Sequence, residues 1–233
     1  MNKKEASFVT LGNQSPGDTP LARRMRLHQS WWRAFVLCED QGQHPMKKGK
    51  PIGSSILNGE ESFSNFLDEY AARAVKESLA ERKSLSKGMI SESRLFNNLL
   101  SSQPLCFNFF GRLKYNLPLA TSVFKLYFEF APNAAQNSDN SAHDVAIEFK
   151  TSNGKRGLLG LECKYTEPFS PKEYRNENYE KLYQESNAFI ASYNELTNTK
   201  YNQLFRNQLI VESALLNKTY DVAYSALFCF EQD

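Results

Sequence analysis

Apolar residues at Leu21, Met25, Trp32, Phe35 and Val36 recur at helical spacing and predict an amphipathic helix over residues 20–38. Residues 1–20 form a polar lead-in. The next segment, 40–60, carries Gly42, Gly49, Pro51, Gly53 and Gly59 and reads as loop. A second helix is expected over 61–83, and a third begins near Ser91 and runs to about 102. Pro104 and Pro118 punctuate a further helical stretch. Near 125 the period changes. Lys125 to Phe130 reads as a strand and 131–142, rich in Asn, Ser and Ala, as a loop. His143-Asp144-Val145-Ala146-Ile147-Glu148-Phe149 then alternates polar and apolar positions, as a half-buried strand does. Ser152-Asn153-Gly154 signals a turn, and Leu158 to Tyr165 a returning strand. Residues 172–197 and 200–216 read as helical, and Tyr220 to Phe230 closes the chain as a strand. Helices, a strand hairpin, more helices and a last strand together predict an α/β (α+β) domain, a mixed sheet flanked by helices. Residues 1–90 form a helical N-terminal elaboration packed on a core of 91–233.

The hairpin is where the chemistry concentrates. Glu162 and Lys164 are two apart on a strand and so share a face. Whether Asp144 can join them depends on register. A two-residue loop at Asn153-Gly154 sets Asp144 opposite Cys163 and sends Glu162 to the other face. A three-residue loop, Ser152-Asn153-Gly154 with Gly154 left-handed, shifts the register by one. Asp144 then lies opposite Glu162, with Cβ atoms about 4.5–5.5 Å apart, close enough to share a cation. The expectation is therefore the three-residue loop. Glu148-Phe149-Lys150 repeats the Glu-x-Lys pattern but lies on the strand of Asp144, roughly 13 Å away at ~3.3 Å per residue, too far to share that ion. Two carboxylates with a lysine suit a divalent cation and an attacking water, the set that phosphodiester hydrolysis requires. Spacing alone favours an exposed hairpin face carrying a cross-strand ion pair.

Composition narrows the classes without choosing among them. Of 233 residues, 41% are hydrophobic and 23% charged, which is ordinary globular composition, and the formal charge is only +2. So small a charge does not identify a nucleic-acid binder, although a cleft can still be locally positive. The basic runs Arg23-Arg24-Met25-Arg26 and Lys47-Lys48-Gly49-Lys50 can contact phosphates but read first as solvated faces. Trp31 and Trp32 could stack on bases, but their helical setting favours the core for at least one. Cys38, Cys106, Cys163 and Cys229 are scattered with no Cys-x-x-Cys pair, and the three histidines lie apart. Neither a disulfide framework nor a zinc cluster is expected, and a cytoplasmic setting is. No apolar run reaches membrane-span length, and no secretory leader is expected. No phosphate-binding loop, nucleophile elbow or His-Glu-x-x-His motif supports another hydrolase class.

The hairpin pattern resembles the PD-(D/E)xK nuclease superfamily, which has a restriction-endonuclease-like core. More narrowly, Arg94 to Asn108, Asp144-Val145-Ala146, Gly160 to Glu167 and Arg206-Asn207-Gln208-Leu209, with Arg26 to Arg33, are similar to a little-characterised bacterial family within it. The resemblance implies a nuclease acting on nucleic acid, expected to be DNA. Asp144 and Glu162 would hold Mg²⁺ or Mn²⁺, helped by the Cys163 carbonyl, and Lys164 would serve the attacking water or the developing charge. His143 stands where the superfamily's name has Pro and reads as a strand-edge residue. Two helical residues join as candidates. Gln208 falls within the stripe Leu204, Phe205, Leu209, Val211 and Leu215, with Glu212 close by. Glu92 shares a stripe with Leu95, Phe96 and Leu99 and would supplement the metal site, although a Glu in a first helical turn also suits the helix dipole. A non-catalytic nucleic-acid-binding or structural protein on the same fold is the alternative. The oligomeric state is open, a homodimer included.

Overall fold

The computed structural model describes residues 10–85, 90–115, 123–131 and 141–230. The leader up to residue 9 and most of the expected 131–142 loop lie outside them, as does Pro118. Helix α1, Pro20–Trp32, starts with Pro20 in its first turn and with the Thr19 hydroxyl accepting from the Ala22 N–H at 3.2 Å. It continues as a wider π-type turn over Arg33–Leu37 and stops at left-handed Cys38. Helix α2 is the short Gly59–Ser62, and α3 spans Glu69–Leu85. The expected helix over 61–83 is therefore broken by residues 63–68.

Residues 40–60 are not a loop. They form an antiparallel hairpin of β1, Gln41–His44, and β2, Lys47–Ile56. Buried Arg33 fastens the hairpin's base by donating to the carbonyls of Gly53 at 2.8 Å, Thr10 at 3.0 Å, and Glu39. The helix expected over 91–102 is also two pieces. A π-type turn, Ser93–Asn97, buries Leu95 and Phe96 and ends at extended Asn98, and α4 then spans Ser102–Tyr115.

The main sheet has four strands: β3, Val123–Phe130; β4, His143–Lys150; β5, Arg156–Cys163; and β6, Val222–Phe228. Their order is β3-β4-β5-β6, with β5 and β6 parallel and the other neighbours antiparallel. The mixed sheet flanked by helices is the one expected. Segment 172–197 is less helical than its pattern promised: only α5, Glu177–Glu185, and α6, Tyr193–Leu196, form within it. Helix α7, Asn202–Leu216, precedes β6. One core cluster joins α3 and α4 to Val145, Ile147, Leu161 and Cys163, and a second joins Val211 and Ala214 of α7 to Ala146 and Leu158. The two clusters mark the two faces of the sheet.

The β4–β5 register is the predicted one. Val145 pairs with Leu161 and Lys150 with Arg156, and beyond them the Thr151 N–H donates to the Lys155 carbonyl at 3.0 Å. Ser152, Asn153 and Gly154 are left as the loop, with Gly154 at φ +82°. At the other end of the hairpin the alternation breaks. Val145 packs on the α4 side, yet the His143 ring lies over Gly160, whose neighbours Ala146 and Leu158 belong to the α7 side. A Cβ on Gly160 would come within 2.3 Å of that ring. Strand β3 breaks at the same level. Phe128 stacks on Phe107 of α4 with ring centroids 4.2 Å apart, whereas Phe130 packs against the α7-side cluster. Between them Glu129 holds a left-handed φ of +51°, a conformation that costs a non-glycine residue about 1–3 kcal/mol.

His143 is fully buried, and neither ring nitrogen has a hydrogen-bond partner among the described residues. Burial lowers its pKa from 6.5 to about 4. The neutral ring suits the fold and the unfolded chain takes the proton first, so stability falls as pH drops from about 6.5 toward 4. His143→Leu is expected to remove a loss on the order of 3 kcal/mol from this window. Urea midpoints for both proteins across pH 4–7 test this, and parallel curves would refute it.

Candidate active site at the end of the sheet

A cleft of about 940 Å³ opens at the end of the sheet where β4 begins and β5 finishes. Asp144, Glu162 and Lys164 all line it. The expected pairing of Asp144 and Glu162 on one face is not found: the ladder ends at Val145–Leu161, and the two carboxylates leave the sheet on opposite sides. Glu162 is buried and turns toward α7. Its carboxylate accepts from Gln203 Nε2 at 2.5 Å and from Asn207 Nδ2 at 3.0 Å, and Lys164 Nζ lies 2.8 Å from Oε1. Asp144, at the break in alternation, turns the other way. Its Oδ2 accepts from the Cys163 N–H at 2.7 Å, and a carboxylate oxygen lies within 4.8 Å of the thiols of Cys106 and Cys163. The residues converge because the cleft spans the sheet's end and is reached from both faces.

Burial is the largest influence on Asp144, pushing its carboxyl well above the usual range. The negative charges of Glu162 and then Glu129 push in the same direction. Glu129 also lines the cleft, with Gln103 Nε2 3.4 Å from its Oε1. In the ladder, flanking pairs Phe128–Val145 and Phe130–His143 bracket Glu129 and Asp144. Three carboxylates from adjacent strands thus line one cleft with Lys164, although among the described residues the tight group of three acid or thiol ligands, within 4.8 Å of one another, is Cys106, Asp144 and Cys163. Carboxylate oxygens are the donors that suit a hard divalent cation, and such an ion beside Asp144 would favour its ionised form.

The helical candidates need correction. Gln208 donates to Glu212 at 2.8 Å, and neither Gln208 nor Glu212 lines the cleft. The residues that reach Glu162 are Gln203 and Asn207, one turn apart on α7. Leu204, assigned to the apolar stripe, is 40% exposed, so the true helix phase is turned from the one inferred. A pair of amide residues four apart beside buried Phe205 and Leu209 was the available signal. Glu92 is exposed just before the π-type turn and does not line the cleft, whereas Glu129 of β3 does. Glu148 of the rejected Glu-x-Lys accepts from the hydroxyls of Tyr127 and Tyr220, outside the cleft.

The cleft walls are held by charge-assisted contacts. Arg94 lies 3.0 Å from Glu167, whose other bonds include the Ser102 N–H at the start of α4. Arg26 bonds Asp18 at 2.6 Å and the Ser54 hydroxyl at 2.7 Å. Gln203 Oε1 accepts from the Ser170 N–H at 2.7 Å, tying the segment after β5 to α7. Gln203→Ala is therefore expected to speed exchange of the Ser170 amide by about tenfold or more, while Gln208→Ala leaves it unchanged. Site-resolved hydrogen exchange measures this. Equal protection in both variants would show that Gln203 does not organise the segment.

A family model described as the PD-(D/E)XK nuclease superfamily matches residues 16–233, nearly the whole chain. No curated protein and no solved structure matches it.

Proposed function

The chain belongs to the PD-(D/E)XK nuclease superfamily, and from that membership together with the cleft we propose that it hydrolyses phosphodiester bonds of DNA with Mg²⁺ or Mn²⁺. The observation that carries this reading is the meeting of Asp144, Glu162 and Lys164 in one cleft, with Lys164 Nζ 2.8 Å from Glu162. Asp144 and Glu162 would hold the ion, with the Cys163 carbonyl between them in sequence and Glu129 as a further carboxylate. When bound, the ion supplies Lewis-acid polarisation of the phosphate and a more acidic water.

The protein's own groups do the positioning. Gln203 bridges Glu162 and Lys164, donating to one and lying 3.4 Å from the other's ammonium. Asn207 holds the second Glu162 oxygen. Lys164, little exposed, would place its side-chain nitrogen where a water is oriented or where negative charge grows on the phosphate. Gln203 takes the positioning part first assigned to Gln208. Residues 1–90 act in this reading as an elaboration on a catalytic core of 91–233, walling the cleft through Asp18, Arg26 and His44.

The test incubates wild type, Asp144→Ala and Lys164→Ala with labelled single- and double-stranded DNA and RNA, with Mg²⁺ or Mn²⁺. Wild type should cleave DNA and each variant should lose about a hundredfold or more of the rate. Either ion should also raise the melting temperature of wild type but not of Asp144→Ala. No cleavage of any substrate by wild type, or equal cleavage by the variants, would remove the hydrolytic reading. Binding without cleavage would favour a non-catalytic nucleic-acid-binding protein.

A further inference from the structure

The β1–β2 hairpin ends in a two-residue turn, Pro45-Met46, between paired His44 and Lys47. This turn lines the same cleft as Asp144 and Glu162. Met46 is 80% exposed, and Lys47 and Lys50 beside it are exposed as well. An unbranched apolar side chain held out into solvent gains nothing for the fold.

The tip is nevertheless shaped. Pro45 fixes one backbone angle of the turn. His44 Nδ1 accepts from the Met46 N–H at 3.1 Å, and Gln43 Oε1 accepts from the Gly49 N–H at 3.1 Å. The hairpin's base is fixed as firmly. Arg33 holds the Gly53 carbonyl, Arg26 holds the Ser54 hydroxyl, and the Gly53 N–H donates to the Asn13 carbonyl at 2.7 Å. Positive charge gathers here too. After burial, Lys47, Arg26 and Lys50 each disfavour the protonated form of His44, with only Asp18 opposing. A protruding apolar side chain beside lysines, on a rigid support at the mouth of a phosphodiesterase cleft, has the chemistry of a wedge. Apolar wedges enter between base steps and unstack them, while flanking cations hold the adjoining phosphates.

We propose that this hairpin tip engages duplex nucleic acid, with Met46 inserting between base pairs and Lys47 and Lys50 on the flanking phosphates, so that the opened strand reaches the carboxylates. The proposal rests on the nuclease reading of the cleft and adds to it the substrate's double-stranded form and the residues that grip it. The single-stranded alternative would make the lysines matter and Met46 irrelevant.

The test measures binding of a labelled duplex, DNA or RNA, and of the corresponding single strand, by fluorescence anisotropy over a salt series with Ca²⁺ in place of Mg²⁺. Wild type is compared with Met46→Ala, Met46→Leu and Lys47→Ala/Lys50→Ala. These exposed positions should leave melting temperatures unchanged, which circular dichroism checks. Met46→Ala should weaken duplex binding about tenfold and leave single-strand binding as it was, with Met46→Leu restoring the duplex affinity. The double-lysine variant should lower the steepness of the logarithmic salt dependence by about 1.8, or ~0.9 per phosphate contact. Equal duplex affinity in Met46→Ala, an unchanged salt slope in the lysine variant, or no duplex binding by wild type would overturn the proposal. The two readings fail separately. A wild type that binds duplex in this manner yet cleaves nothing with Mg²⁺ loses the hydrolytic reading and keeps the tip's role. One that cleaves duplex as well with Ala at 46 as with Met loses the tip's role alone.

Discussion

A carboxylate at the bottom of a cleft cannot be buried alone. Removing Glu162 from water costs several kcal/mol unless its oxygens find donors. The chain supplies three, from two elements. Lys164 comes from two residues along the same segment, and Gln203 and Asn207 come from α7. The two amides cannot reach the carboxylate unless α7 lies across the end of β5. Gln203 then also takes the Ser170 N–H, and Asn202, the residue before it at the start of α7, accepts from the Tyr174 N–H at 3.2 Å. Satisfying one buried charge thus fixes the position of a helix and the path of the segment that walls the cleft.

That constraint also explains which parts of the site could be foreseen. The hairpin register followed from chain chemistry: Gly154 tolerates the left-handed angle that a three-residue loop needs, and strand alternation carries the register onward. The direction of Asp144 did not follow. It is decided where β3 and β4 break their alternation together, at left-handed Glu129 and at His143 packed over Gly160. Each of these depends on a neighbour far away in sequence. Gln208 was chosen over Gln203 for a related reason. Both are Gln on one helix, and the stripe that separates them was placed using Leu204, which the fold leaves half-exposed. Helical periodicity reports a face only when every apolar residue counted on it is buried.

The missed hairpin of β1 and β2 shows a different limit. Its glycines looked like loop punctuation, yet a Cβ on Gly42 would lie 2.1 Å from the Ile56 carbonyl oxygen. That glycine lets two strands come together. Residues 52–56 of β2 are all buried, including Ser54 and Ser55, so the strand lacks the polar–apolar alternation by which a half-buried strand is recognised. Small polar residues packed on both sides leave no period to detect.

Glu129 separates nearness in sequence pattern from nearness in space. An early-helix residue, Glu92, suited the expected pattern, but the structure leaves it exposed and brings Glu129 to the cleft from β3. What a divalent-cation site requires is enough hard oxygen within reach of one point. It places no demand on the element from which each oxygen comes. Strand β3 brings a carboxylate to the cleft through a left-handed residue that strands ordinarily avoid, at the level where β4 releases Asp144 from its own alternation. The two irregularities therefore belong together. With unbroken alternation Asp144 would share the face of Glu162; the break turns it toward Cys106 of α4 instead, and it reaches the cleft with Glu129 while Glu162 reaches it from the α7 side.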